Sequence, residues 1–178
     1  MPAPEFINEQ DNKPPHDRLR RPLIPQIALR IIAALLSAAA IPVMMTSNRD
    51  VIVYTIPFHA RYSYFTAFKF LVVVDAIACV FSVASVILLC AGCVSVTRYF
   101  WLYLLDAVMT VVMVAGCSAA AAVGLIGLYG VEPVGWTASC DNAEAFCRQT
   151  MVAIVLSYLS FLVYMTITTV SAYKYMSR

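Results

Sequence analysis

Long apolar stretches separated by short polar segments give this chain its pattern. A bilayer crossing takes about 20 mostly apolar helical residues. The stretches at about residues 27–47, 69–96, 99–130 and 150–173 reach that length with almost no charge. The first is charge-free after Arg30, the second holds Asp75, the third holds Asp106, and the fourth holds no charged residue. Each is long enough to span with some tilt. The pattern predicts an all-α membrane protein, an antiparallel bundle of four transmembrane helices.

Composition agrees with the pattern. Of 178 residues, 62% are hydrophobic and 12% charged, with a mean hydropathy of +0.81, which puts the chain outside the range of soluble domains. Residues 1–26 are polar, charged and proline-bearing, and read as a disordered cytoplasmic arm. They lack the layout of a cleaved leader, so the first apolar segment is expected to be retained. The four-helix domain then covers 27–175, and 176–178 form a short cytoplasmic tail. Basic residues tend to stay on the cytoplasmic side. Lys13, Arg18, Arg20, Arg21, Arg98, Lys174 and Arg178 fall on one side of the predicted topology and Arg49, Arg61, Lys69 and Arg148 on the other, which places both termini inside. The Arg18, Arg20, Arg21 cluster also lies where anionic lipid headgroups would meet it.

The first outer loop, about 47–68, ends in TIPFHARYSYFTAF. Its Tyr62, Tyr64, Phe65 and Phe68 read either as aromatic anchors at the headgroup level or as a contact surface for an extracellular partner. A short inner turn around Val96–Tyr99 makes spans two and three a helical hairpin. In the second outer loop, Cys140 and Cys147 face an oxidising compartment under this topology, and a disulfide would close a small loop between them. Cys79, Cys90, Cys93 and Cys117 fall inside spans and read as small buried hydrophobes, with reversible palmitoylation a second reading for Cys90 and Cys93. Neither outer loop carries an N-glycosylation acceptor.

A charge inside a span costs about 2.5 to 3.5 kcal/mol on insertion scales and needs a partner or a watery path. Arg30 and Asp106 lie at similar depth on spans one and three, so a buried ion pair is the cheapest arrangement for both. Helical steps from Arg30 reach Ala33, Ser37 and Ala40; those from Asp106 reach Thr110, Met113, Cys117, Ala120 and Gly124. Gly116, Ala120 and Gly124 make a ridge of small residues that serves packing either within the bundle or between protomers. Asp75 has no basic residue at its level. It is an unpaired intramembrane charge with three readings open: protonated, water-accessible, or bonded to a hydroxyl of a neighbouring span.

These residues together resemble the plant CASP-like family, relatives of the Casparian strip membrane domain proteins and distantly similar to MARVEL tetraspans. The resemblance covers about residues 27–175. It rests on Arg30 in span one, RYSYFTAFKFLVVVDAIACVFS leading into span two, Asp106 followed by an alanine-rich run, and GWTASCDNAEAFCRQ in the second outer loop. It implies a plasma-membrane protein with cytoplasmic termini that forms homo- and hetero-oligomers with itself and related CASP-like proteins. In the founding members such assemblies make an immobile platform that guides wall modification by secreted enzymes. Arg30 and Asp106 match the family's charged span positions, and Cys140 and Cys147 its paired outer-loop cysteines. The first outer loop is of the divergent CASP-like type, and Asp75 sits where many relatives carry an uncharged residue.

No HExxH, GxSxG or P-loop occurs, and the only histidines are His16 and His59, so no catalytic residues, metal site or cofactor are expected. No nucleic-acid partner is expected either. The function expected is a non-enzymatic scaffold that oligomerises laterally among membrane lipids and positions cell-wall-modifying partners. The competing reading is a small transporter or channel subunit using Arg30, Asp75 and Asp106. Against it, there is no evident inverted repeat and no pair of broken helices, Pro42 being the only proline within a predicted span.

Overall fold

The computed structural model of the protein describes residues 24–53, 56–61, 65–91, 96–130, 140 and 144–176. Its helices are α1 (Ile24–Met45), α2 (Thr66–Cys90), α3 (Val96–Tyr129) and α4 (Glu144–Met176). Each contains a stretch long and apolar enough to cross a membrane. Hydrocarbon offers the backbone no hydrogen-bond partners, so a chain this apolar crosses it as helices that satisfy their own amides.

Around the bundle α1 packs on α2 and α4, and α3 packs on the same two helices. Thus α1 faces α3 across one diagonal, and α2 faces α4 across the other. The inward residues of α1 are Gln26, Arg30, Ala33, Ser37, Ala40 and Met44. Those of α2 include Phe68, Leu71, Asp75, Ala78, Ser82, Ser85 and Leu89. Steps of three and four alternate, which is the seam period of helices crossing at a shallow angle. These seams are rich in small and hydroxyl-bearing residues, while large aliphatics such as Leu35, Val80, Val111 and Val155 point outward. Lipid accepts the aliphatics without penalty, so close backbone approach decides which residues turn inward.

Two packed clusters fill the axis. One, nearer the α1–α2 connection, joins Met44, Phe68, Leu71, Cys117, Ala120, Phe146, Ala153 and Ile154; the other joins Ala33, Val74, Ala78, Met109, Met113 and Tyr164. Phe68 is therefore a core residue and not a headgroup anchor. Phe65 beside it is exposed, with its ring edge-on to that of Phe68 at 5.4 Å.

Several boundaries differ from those read off hydropathy. Helix α1 begins at Ile24, within the segment expected to be a disordered arm, and Pro25 fits a first turn because its missing N–H has no partner to lose there. Residues 1–23 of that arm lie outside the described residues, as do Tyr62, Tyr64, Cys93, Ser177 and Arg178. The α2–α3 break comes before Val96, so the expected turn residues Val96–Tyr99 are the first turn of α3. Ala91 closes α2 with its N–H on the Ile87 carbonyl at 3.0 Å. The apolar run continues through Val94 and Val96 and hid the break, although Gly92 was a punctuation signal. Helix α4 starts at Glu144, six residues ahead of the apolar stretch, with its acidic side chain at the positive end of the helix dipole.

The connection between α1 and α2 holds an antiparallel sheet that the hydropathy pattern did not predict. Strands β1 (Asn48–Val53) and β2 (Ile56–Arg61) pair from Asn48 with Arg61 to Val53 with Ile56, leaving two residues between them. At the same end Gly130 ends α3 at φ 68°, a left-handed conformation suited to glycine, its N–H on the Ile126 carbonyl at 2.9 Å.

Candidate functional site

The chemistry of the bundle lies along its axis, where each helix contributes polar side chains at seam positions. Arg30 of α1 reaches across the diagonal to α3. Its Nη1 donates to Asp106 Oδ1 at 3.1 Å and its Nη2 to Oδ2 at 2.6 Å, with 3% and 0% of the two side chains exposed. The paired geometry uses both carboxylate oxygens, the strongest way a guanidinium holds an acid. Phe81 of α2 lies 5.9 Å from the guanidinium carbon, within the range at which a ring face attracts a cation. Small neighbours make room for this reach, since Ala33 and Ser37, which follow Arg30 along the seam, are fully buried. The sequence placed these two charges at one depth, and the structure brings them together.

Asp75 takes no part in that pair. It faces the other diagonal, where Ser157 of α4 brings its Oγ within 2.6 Å of Asp75 Oδ2. Of the three readings left open by the sequence, the geometry supplies the hydroxyl, and it comes from the opposite helix of the bundle. Asp75 Oδ1 has no hydrogen-bond partner, and no cation among the described residues pairs with the carboxyl.

Further polar contacts went unread in the sequence. Tyr164 Oη of α4 donates to the Ala78 carbonyl of α2 at 2.7 Å and lies 2.6 Å from Ser82 Oγ. Ser37 and Ser160 pair at 2.8 Å between α1 and α4, Thr110 and Thr168 at 3.2 Å between α3 and α4, and Gln26 Nε2 donates to Ser171 Oγ at 3.1 Å. Helix α4 contributes to every one. Its Ser157, Ser160, Tyr164, Thr168 and Ser171 recur at helical spacing on one face, and that recurrence was the available signal.

The ridge on α3 is used inside the bundle. Gly116 packs toward Leu71, Phe70 and Val74 of α2, Gly124 toward Ile154 and Met151 of α4, and Ala120 is fully buried. At the sheet end, Cys140 and Cys147 are joined by a disulfide that ties the α3–α4 connection to the first turn of α4. The Cys140 N–H also donates to the Gly127 carbonyl at 3.2 Å. Ser47, at the root of β1, donates to the Phe146 carbonyl at 3.3 Å and lies 3.2 Å from Thr150 Oγ1. Both connections at this end are therefore fastened to α4. Among the described residues no three His, Cys, Asp or Glu side chains gather to hold a metal ion.

Comparisons with known proteins fit this architecture. The profile of the Casparian strip membrane protein domain matches residues 21–163. The chain is 44% identical over 153 residues to the CASP-like protein 1F2 of Ricinus communis, covering 84% of this chain and 76% of that one. It is 39% identical to the CASP-like protein 1F2 of Vitis vinifera, with 84% and 79% covered, and 36% identical to the CASP-like protein 1F3 of Populus trichocarpa, with 89% and 84% covered. No solved structure matches the chain.

Proposed function

The chain belongs to the Casparian strip membrane protein family and is a multi-pass membrane protein, and from that premise we propose that it is a non-enzymatic scaffold of the plasma membrane. Both termini lie in the cytoplasm, and the chain assembles laterally with copies of itself and with related CASP-like proteins. The sheet and the disulfide-bonded connection then face the wall side, where secreted wall-modifying enzymes are the class of partner to be positioned.

The observation that carries this reading is the closure of the charged pair. Arg30 and Asp106 meet in a bidentate, buried contact that engages both carboxylate oxygens and both terminal guanidinium nitrogens, leaving only Arg30 Nε without a partner, and this suits a fixed brace. The small-residue ridge of α3 is already engaged with α2 and α4, so lateral contacts between protomers fall on other lipid-facing surfaces. Asp75 favours the second reading, a small transporter or channel subunit, because one of its oxygens is buried without a partner.

The test is lateral mobility of a fluorescent fusion at the plasma membrane, measured together with co-purification of two differently tagged copies. Slow recovery after bleaching with mutual capture is the expected result. Fast, complete recovery without capture would overturn the scaffold. Ion flux into vesicles holding the purified chain, lost in Asp75→Asn, would establish the second reading instead.

A further inference from the structure

Asp75 is the one buried carboxyl of the described helices that the ion pair does not explain. Ser157 Oγ stands 2.6 Å from Asp75 Oδ2 and 3.1 Å from the Ala153 carbonyl oxygen one turn back on α4. A serine hydroxyl has a single hydrogen and can serve only one of these acceptors at a time. Were the carboxyl ionised, that hydrogen would be its whole stabilisation, with Oδ1 bare and no cation in contact. Were it a neutral acid, its Oδ2–H would donate to Ser157 Oγ, and the serine hydroxyl would donate to the Ala153 carbonyl oxygen. Both donors then find acceptors in a continuous chain from α2 into the backbone of α4. An uncompensated charge is the costlier arrangement in a dry interior.

We propose that Asp75 is a proton-binding site at the heart of the bundle, occupied in the folded protein and closed by Ser157 and the Ala153 carbonyl. The ionisable groups around it leave this assignment intact. On α1, Arg30 is held by Asp106; on α4, Tyr164 is held by Ser82 and Ala78. Cys117 on α3 is a buried thiol, and Lys69 on α2 itself is exposed. None of them supplies Asp75 with a positive charge. The proton takes the place that a basic residue fills at Asp106, which is how a second carboxyl is carried within the same four helices. This assignment does not depend on the scaffold reading, because it concerns one side chain within a single chain.

The test is infrared absorption of the full chain, purified in an ester-free alkyl maltoside detergent at neutral pH. A protonated carboxyl shows a carbonyl stretch above the backbone amide band, whereas a carboxylate absorbs below it. The expected result is such a band in the parent, absent in Asp75→Asn, a neutral replacement of the same shape. An Asp75→Asn spectrum that matches the parent in this region would overturn the proposal. Ser157→Ala gives an independent reading if Asp75→Asn fails to fold. Loss of the serine acceptor should shift the band to higher frequency, and a band that is missing from the parent or unmoved by Ser157→Ala would overturn it equally.

Discussion

Across the α1–α3 diagonal a full charge meets a full charge, with both terminal nitrogens of Arg30 on both oxygens of Asp106. Across the α2–α4 diagonal the bridging is done by hydroxyls, Ser157 to Asp75 and Tyr164 to Ala78 beside Ser82. The two differ in how they fail. An ion pair in a medium with little water is held all or nothing, because removing either member strands the other as an uncompensated charge. A hydroxyl bridge is graded, since each bond adds a modest amount and the partner left behind is neutral. The bundle thus has one diagonal that fixes which helices face each other and one that tunes how firmly they hold.

The largest effect should come from breaking the charged diagonal. Arg30→Ala or Asp106→Ala alone is expected to lower stability by about 3 to 5 kcal/mol, enough to abolish accumulation in the membrane. The double change Arg30→Met with Asp106→Leu removes both charges and should restore much of the level. Quantitative blotting of membrane fractions decides this, and a double variant no better than the singles would remove the distinction between the diagonals.

Loosening the sheet end asks whether either diagonal depends on it. Cys140→Ser opens a short loop whose closure contributes about 2 to 3 kcal/mol in the chain-entropy account. Thermal unfolding in detergent should occur earlier, while hydrogen exchange at the centres of α1 and α3 stays as slow as in the parent. Faster exchange around Arg30 would mean that the brace relies on the fastened connections.

On the hydroxyl diagonal, Tyr164→Phe removes the bond to Ala78 and leaves Ser82 to find another acceptor. The expected loss is about 1 kcal/mol, in line with single interhelical hydrogen bonds in membranes. The melting temperature of the purified protein should fall by a few degrees at most. A collapse as severe as that of the Arg30 variants would show that hydroxyls, too, set the arrangement of the helices.

How much of this was legible follows from what each signal reports. Hydropathy marks the hydrocarbon crossing, so four spans were plain, but it is blind to helix ends that continue into polar surroundings, as at Glu144–Gln149. It also ran through the α2–α3 break, since valines flank Gly92. The β1–β2 hairpin went unread because the segment was weighed for aromatic content, although its run of Val51, Ile52 and Val53 has strand character. Charges are rare in spans, and so Arg30 and Asp106 stood out as a pair by depth alone. Serine and threonine are common in spans and often bond back to their own helix, as Thr166 does to the Leu162 carbonyl at 2.9 Å. Only the packing of four seams separates Ser157, which crosses the bundle, from Thr166, which does not.

The smallest effect concerns the α2–α3 edge of the square, where Gly116 meets apolar side chains. A Cβ built on Gly116 would meet Leu71, Phe70 and Val74 of α2 at 3.6 to 3.7 Å, ordinary contact distances. Gly116→Ala therefore fills space that is already open and removes the flexibility of a glycine in mid-helix, worth roughly 0.5 to 1 kcal/mol in soluble helices. The expected outcome is an unchanged or slightly raised melting temperature. Gly116→Leu instead forces branched carbons against the same three side chains and should lower stability by about 1 to 3 kcal/mol. The contrast between the two substitutions is the sharp measurement. If alanine were as damaging as leucine, close backbone approach along the α2–α3 edge would rank with the diagonals in holding the bundle. If both were silent, the ridge would pack too loosely to matter, and the polar axis would hold the four helices together.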